Sequence, residues 1–295
     1  MQNIILFIIP ALIWGSTWLV IKFQLGVVDP LISIFYRFFL ASVILLIFGK
    51  IKGMRLKYSY KQHLVLVILG LLLFGINYWL VYIAEMQLTS GLVAVVFSTI
   101  IFFNIFFTGL FLKTKITVRV ILGAVLGFTG VALVFKDDLL EFSPASDTSW
   151  AFALALLGAV SASLGNITSA YSQAKKIPVI PGTAYGMLYG SVSMLIIGLL
   201  TGNTINFDSS FAYTGSLLYL VIFGSMIGFG TYLTLIGRIG AHRAGYVTLV
   251  IPIIAMIFST VFESYRWNFY AFGGVLLILS GIAFVLQKSN GKLKT

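Results

Sequence analysis

Long apolar runs of about 16 to 25 residues, separated by short charged connectors, constrain this chain more than any other feature. They fall at 4–21, 31–48, 64–84, 91–112 and 120–135, then at 150–171, 183–200, 211–236, 244–262 and 267–286. One soluble core cannot hide that many. With 60% hydrophobic and 9% charged residues, the chain lies far outside the soluble range. In a bilayer, spanning backbone must be helical or part of a closed barrel, and these runs do not alternate as barrel strands do. The expected fold class is therefore an all-α integral membrane protein with ten transmembrane helices, in contact with the lipid bilayer.

Basic residues set the expected orientation. Of the 19 Lys and Arg, 15 fall in alternate connectors and the C-terminal tail, from Lys50 to Lys61, Lys113 to Arg119, Lys175 and Lys176, Arg238 and Arg243, and Lys288 to Lys294. All eight acids lie in the opposite connectors or at the run ends beside them. By the positive-inside rule both termini are cytoplasmic, in a multi-pass protein of the cell's inner membrane. The net charge of +11 is then a topological signal and implies no nucleic-acid partner.

The two sets of five runs are related. Asn77, Tyr78 and Gly91 match Thr231, Tyr232 and Gly245 at one offset, and Gly123 to Val134 (GAVLGFTGVALV) matches Gly274 to Val285 (GVLLILSGIAFV). An odd number of spans per repeat makes the halves inverted. The expected organisation is a first five-helix repeat at 1–136, a periplasmic linker at 137–149 and a second repeat at 150–295. Inverted repeats meeting at the midplane are a recurrent transporter architecture.

Chemistry is sparse. The chain has no cysteine, and both histidines lie in connectors, so no metal site or cofactor is expected. No Gly-rich nucleotide loop with Lys and Ser/Thr occurs. An intramembrane lipid-modifying enzyme would need a nucleophile, base or metal at depth, and a channel would need a filter or charged ring; neither pattern is present. A small-molecule substrate is the expected partner, with the protein a monomer or homodimer.

Arg37 is the one charge well inside an apolar run. Such charges rarely face lipid, so it pairs with Glu85 or Asp29, snorkels to the surface, or contacts an anionic substrate. Tyr78, Tyr82 and Glu85 recur at helical spacing with Asn77 beside them, while Trp14, Trp18 and Lys22 share one face of the first run. Trp150 and Trp267 read as interface anchors. The expected cavity is lined by Trp14, Asn77, Tyr78, Tyr82, Ser98, Asn166, Tyr189 and Tyr232, with Ser163, Tyr185, Ser193 and Ser225 as further polar groups. Arg37, Glu85 and Pro252 form a charge pair or gate, Pro252 by kinking its helix.

The segment Ala11 to Lys22 (ALIWGSTWLVIK), the Tyr36-Arg37-Phe38 triplet and the Gly-rich ends of runs five and ten resemble the EamA family of the drug/metabolite transporter superfamily. The resemblance spans essentially the whole chain. It implies transport of amino acids, related metabolites or drugs, commonly export, through a cavity lined by spans one to four and six to nine, with spans five and ten peripheral. One departure is visible: the family often carries Gly-Glu near the end of span four, where this chain has Leu112, although its repeat mate Glu263 is retained.

Overall fold

The structure, a computed structural model, describes residues 2–88, 90–134, 136, 140, 148–262 and 268–286. Most of the expected linker, together with Glu263 and Trp267, lies outside the described residues. The helices are α1 (Gln2–Lys22), α2 (Pro30–Ile51), α3 (Tyr60–Gln87), α4 (Val93–Leu112) and α5 (Val118–Val134). They continue as α6 (Thr148–Ala174), α7 (Val179–Leu200), α8 (Phe211–Ile239), α9 (Val247–Phe262) and α10 (Phe269–Leu286). Among the described residues seven of these, α1 to α4 and α6 to α8, are long and apolar enough to cross a membrane, and the other three are shorter apolar helices. This is an all-helical, multi-pass membrane protein.

Local signals place the helix starts. Asp29 accepts the backbone N–H of Leu31 at 2.8 Å ahead of Pro30, whose missing N–H costs nothing at a first turn. Ser59 and Gln62 close a capping box at the start of α3, and Ser210 caps α8 through the N–H of Tyr213.

Small residues set the closest contacts. A Cβ on Gly190 of α7 would lie 2.5 Å from the carbonyl of Gly70 in α3, so only glycine permits this approach. α5 and α10 form an antiparallel pair: a Cβ on Gly123 would lie 2.9 Å from the Gly281 carbonyl, and one on Gly130 2.6 Å from the Gly274 carbonyl. α2 pairs with α7, α3 with α6, α1 with α8, α4 with α6, and α1 with α9.

Among the described residues two helices contain a π segment, α3 at Gly70–Ile76 and α8 at Leu220–Ile227. π turns release or misdirect carbonyls, and here side chains of neighbouring helices satisfy them. The Trp14 indole N–H of α1 donates to the carbonyl of Gly224 at 3.0 Å, and the Ser161 hydroxyl of α6 donates to that of Leu72 at 2.8 Å.

Candidate functional site: an aromatic cavity at the bundle centre

A cavity of about 60 Å³ lies where α1, α3, α4, α6, α8 and α9 converge. Helical spacing brings one face of each helix to it: Trp14, Trp18 and Ile21 from α1; Leu73, Asn77, Tyr78 and Val81 from α3; Phe229 and Tyr232 from α8. The Trp14 ring meets Phe229 and Tyr232 with centroids 4.9 and 5.0 Å apart, and Trp18 meets Phe97 edge-on at 5.7 Å. Among the described residues no charged side chain is part of the lining.

Four polar residues form one hydrogen-bonded chain, Ser163, Asn104, Asn166 and Tyr232. Asn104 of α4 accepts from the Ser163 hydroxyl at 2.8 Å and from the Asn166 amide at 3.3 Å. The same Asn166 amide donates to the Tyr232 hydroxyl at 3.2 Å. Asn77 donates back to the Leu73 carbonyl at 3.2 Å. With both amide nitrogens committed, the oxygens of Asn77 and Asn166 are buried without a partner, as is the indole N–H of Trp18. Three lining residues thus each carry a buried polar atom without a partner, two acceptors and one donor. Pro252 does not line the cavity; it follows the lining residue Ile251 in α9 and cannot donate to the carbonyl of Thr248, four residues earlier, which is itself a lining residue.

Of the residues expected from sequence, Trp14, Asn77, Tyr78, Asn166 and Tyr232 meet at this cavity. Three do not. Tyr82 is buried behind it, with its hydroxyl 3.5 Å from the Arg37 guanidinium. Ser98 turns its hydroxyl onto its own helix, donating to the Val95 carbonyl at 2.6 Å. Tyr189, midway along α7, is not part of the lining and has its hydroxyl 2.7 Å from Nδ1 of His63.

The expected pairing of Arg37 with Glu85 or Asp29 is corrected as well. Arg37 donates to the Ser225 hydroxyl at 3.0 Å and stacks over Tyr78 and Phe38, its carbon Cζ 4.6 and 5.0 Å from the ring centroids. Both Glu85 carboxylate oxygens are buried without a hydrogen-bond partner, and Asp29 is occupied as the α2 cap. Arg37 reached one helical face of α2, where α3 and α8 present aromatic rings and a serine in place of a carboxylate. Arg37 is only 1% exposed and does not line the cavity; it backs onto Tyr78, which does.

Sequence reasoning missed Thr17, Phe97, Asn104, Phe229 and Thr248. Asn104 had a signal: it is an amide in the run IIFFNIFF, and polar groups at membrane depth are costly unless they face a partner. Phe97 and Phe229 had none among 26 Phe residues.

The sequence pattern of the EamA-like transporter family matches residues 1–136 and 149–287. The chain belongs to this family. It is 29% identical over 84% of its length to the uncharacterized inner membrane transporter YedA of Escherichia coli strain K12, covering 79% of that protein. It is 28% identical to the uncharacterized transporter YvbV of Bacillus subtilis, over 95% of this chain and 90% of that one. Protein PagO of Salmonella typhimurium is 25% identical over 97% and 93% of the two chains. A solved crystal structure at 16% identity shares the fold with a TM-score of 0.79 over 96% of each chain. As an EamA-like protein with multiple apolar helices, the chain is a membrane transporter.

Proposed function

We propose that this EamA-like protein is a secondary transporter, not an enzyme, that binds a small organic metabolite in the central cavity and releases it outward by alternating access. The observation that carries the reading is the cavity itself: aromatic walls for an apolar body, two unpartnered amide oxygens and one indole donor, with no charged side chain in the lining among the described residues. An amino acid or related compound with an apolar side chain and N–H donors suits that wall.

The ten helices are read as ten spans in two inverted repeats, with the termini cytoplasmic in an inner membrane. Several contacts support the inversion. α1 to α5 correspond to α6 to α10, and the contacts of α3 with α6 and of α4 with α6 have counterparts in α1 with α8 and α1 with α9. Gly123 faces Gly281 and Gly130 faces Gly274, and the sequence alignment equates Gly123 with Gly274 and Gly130 with Gly281. That crosswise pairing is what a two-fold axis in the membrane plane would generate. The π segments of α3 and α8 and the donors from α6 and α1 that satisfy them repeat the same exchange.

Counterflow in proteoliposomes, screening labelled amino acids, nucleobases and sugars, tests the reading. One solute should exchange saturably, and Asn77→Leu and Asn166→Leu should each cut that exchange. Unsaturable flux, or saturable exchange indifferent to both substitutions, would sink it. Ser146→Cys in this Cys-free chain tests the orientation: an impermeant thiol reagent should label it in intact spheroplasts.

A further inference from the structure

A second cavity, about 420 Å³ and unconnected with the central site by any shared lining residue, opens on the outer flank of the bundle between α3, α4 and α6. Its walls are Val65, Ile68 and Leu72 of α3, Phe111 and Leu112 of α4, and Leu164, Thr168 and Tyr171 among others of α6. Ile68, Phe111 and Tyr171 are 49, 57 and 43% exposed, so the groove faces the membrane. We propose that it holds one acyl chain of an anionic phospholipid, whose phosphate is gripped by lysines at its rim.

The rim is built from the same helix faces as the groove. Lys61 precedes Val65 by four residues, which continues the Val65, Ile68, Leu72 stripe by one turn. Lys175 follows Tyr171 by four residues on the Leu164, Thr168, Tyr171 stripe, and its Nζ lies 5.5 Å from the Tyr171 ring centroid. Lys113 follows Leu112 directly, with Lys115 beyond it. Lys61, Lys113 and Lys175 thus each lie within about one helical turn of a residue that lines the groove, and none of the eight acids lies in these connectors.

A second observation singles out the same rim. Among the described residues two that are not glycine have positive φ, Lys113 at 51° and Lys176 at 60°. Left-handed backbone is a position for glycine or asparagine at a helix end, and lysine gains nothing locally from it. Both follow the ends of helices that line this groove, Lys113 after α4 and Lys176 after α6.

The dimensions suit a phospholipid. Leu72 is eleven residues from Lys61, about 16 Å along a helix, and one leaflet's share of a ~30 Å hydrocarbon core is about the same. A phosphate at the lysines would therefore leave its chain lying along the whole groove. Basic pockets between spans on one membrane face are suited to anionic headgroups.

The test uses the full chain in dodecyl maltoside, stripped of lipid, with native mass spectrometry and unfolding temperature as readouts. Phosphatidylglycerol should be retained at one per chain and raise the unfolding temperature, with phosphatidylcholine of the same chains weaker by at least about tenfold. The triple variant Lys61→Gln, Lys113→Gln, Lys175→Gln should bring phosphatidylglycerol down to the phosphatidylcholine level, and the corresponding Lys→Arg triple should keep the preference. Thr168→Trp, which fills the groove and spares every lysine, should weaken both lipids. Equal retention of the two lipids by the unaltered protein, full retention by the Gln triple, or full retention after Thr168→Trp would each overturn the proposal. So would glycerol 3-phosphate stabilising as well as the intact lipid, since that identifies a free-anion site.

Discussion

Replacing Asn104 by leucine tests the geometry of the cavity most directly. Leucine has nearly the same volume, so packing changes little, but the shared acceptor for Ser163 and Asn166 disappears. Asn166 keeps its second bond to Tyr232, whereas the Ser163 hydroxyl loses the acceptor described for it. Interhelical hydrogen bonds in membranes average about 0.6 kcal/mol and reach about 1.7, so two of them amount to roughly 1 to 3 kcal/mol. Part of that is returned, because the Asn104 amide nitrogen is itself buried without a partner and its removal relieves a cost. The net expectation is a loss of about 1 to 2 kcal/mol. Equilibrium unfolding in mixed micelles measures it, and a cycle with Ser163→Ala isolates the shared bond. The two substitutions should be less than additive by about 0.5 to 1.5 kcal/mol. Strict additivity, or an Asn104→Leu protein as stable as the original, would refute the network. Because Asn166 lines the cavity and would be held by Tyr232 alone, exchange should fall more than stability does.

Trp14→Phe keeps the ring but orphans the Gly224 carbonyl, and counterflow should drop several-fold with folded yield nearly intact. Gly190→Val drives a side chain into the Gly70 carbonyl and should destabilise by about 1 to 3 kcal/mol in thermal unfolding, whereas Gly215→Ala, with open space around it, should be silent. His242, in the turn between α8 and α9, is held neutral by burial and then by Arg243, with its pKa lowered from 6.5 to about 4. The unfolded chain therefore binds the proton more readily; the contribution of His242 is fully present above about pH 6.5 and is lost as pH falls towards 4, a slope that unfolding titrations should lose in His242→Gln.

Runs of apolar residues made the helices legible, because length and uniform hydropathy need no tertiary information. Five cavity residues were legible for a related reason: Trp14, Asn77, Tyr78, Asn166 and Tyr232 are polar or amphipathic groups in the middle of apolar runs. Tyr82 and Tyr189 satisfied the same criterion and went elsewhere. One turn along α3 moved Tyr82 from the cavity to the Arg37 layer, and α7 contributes nothing to the lining. A single sequence does not specify such rotations, since they depend on which helix packs against which. The partner of Arg37 was misjudged because charge complementarity between α2 and α3 is visible in sequence, whereas a cradle of rings from Tyr78 and Phe38 is visible only once the faces are assembled.

The two π segments hold one further consequence. Each carries more chain per turn than an α-helix does, so each is slack wound into a rod that is otherwise stiff. Were one segment to tighten to α geometry, the surplus residue would be passed along and the rest of the helix would rotate by about 100° and advance about 1.5 Å. Asn77 and Tyr78 directly follow Gly70–Ile76, and Phe229 and Tyr232 follow Leu220–Ile227, so it is the cavity wall that such a slip would turn. A screw motion of this kind can re-aim the contents of a binding site with no hinge, no loop and no broken helix.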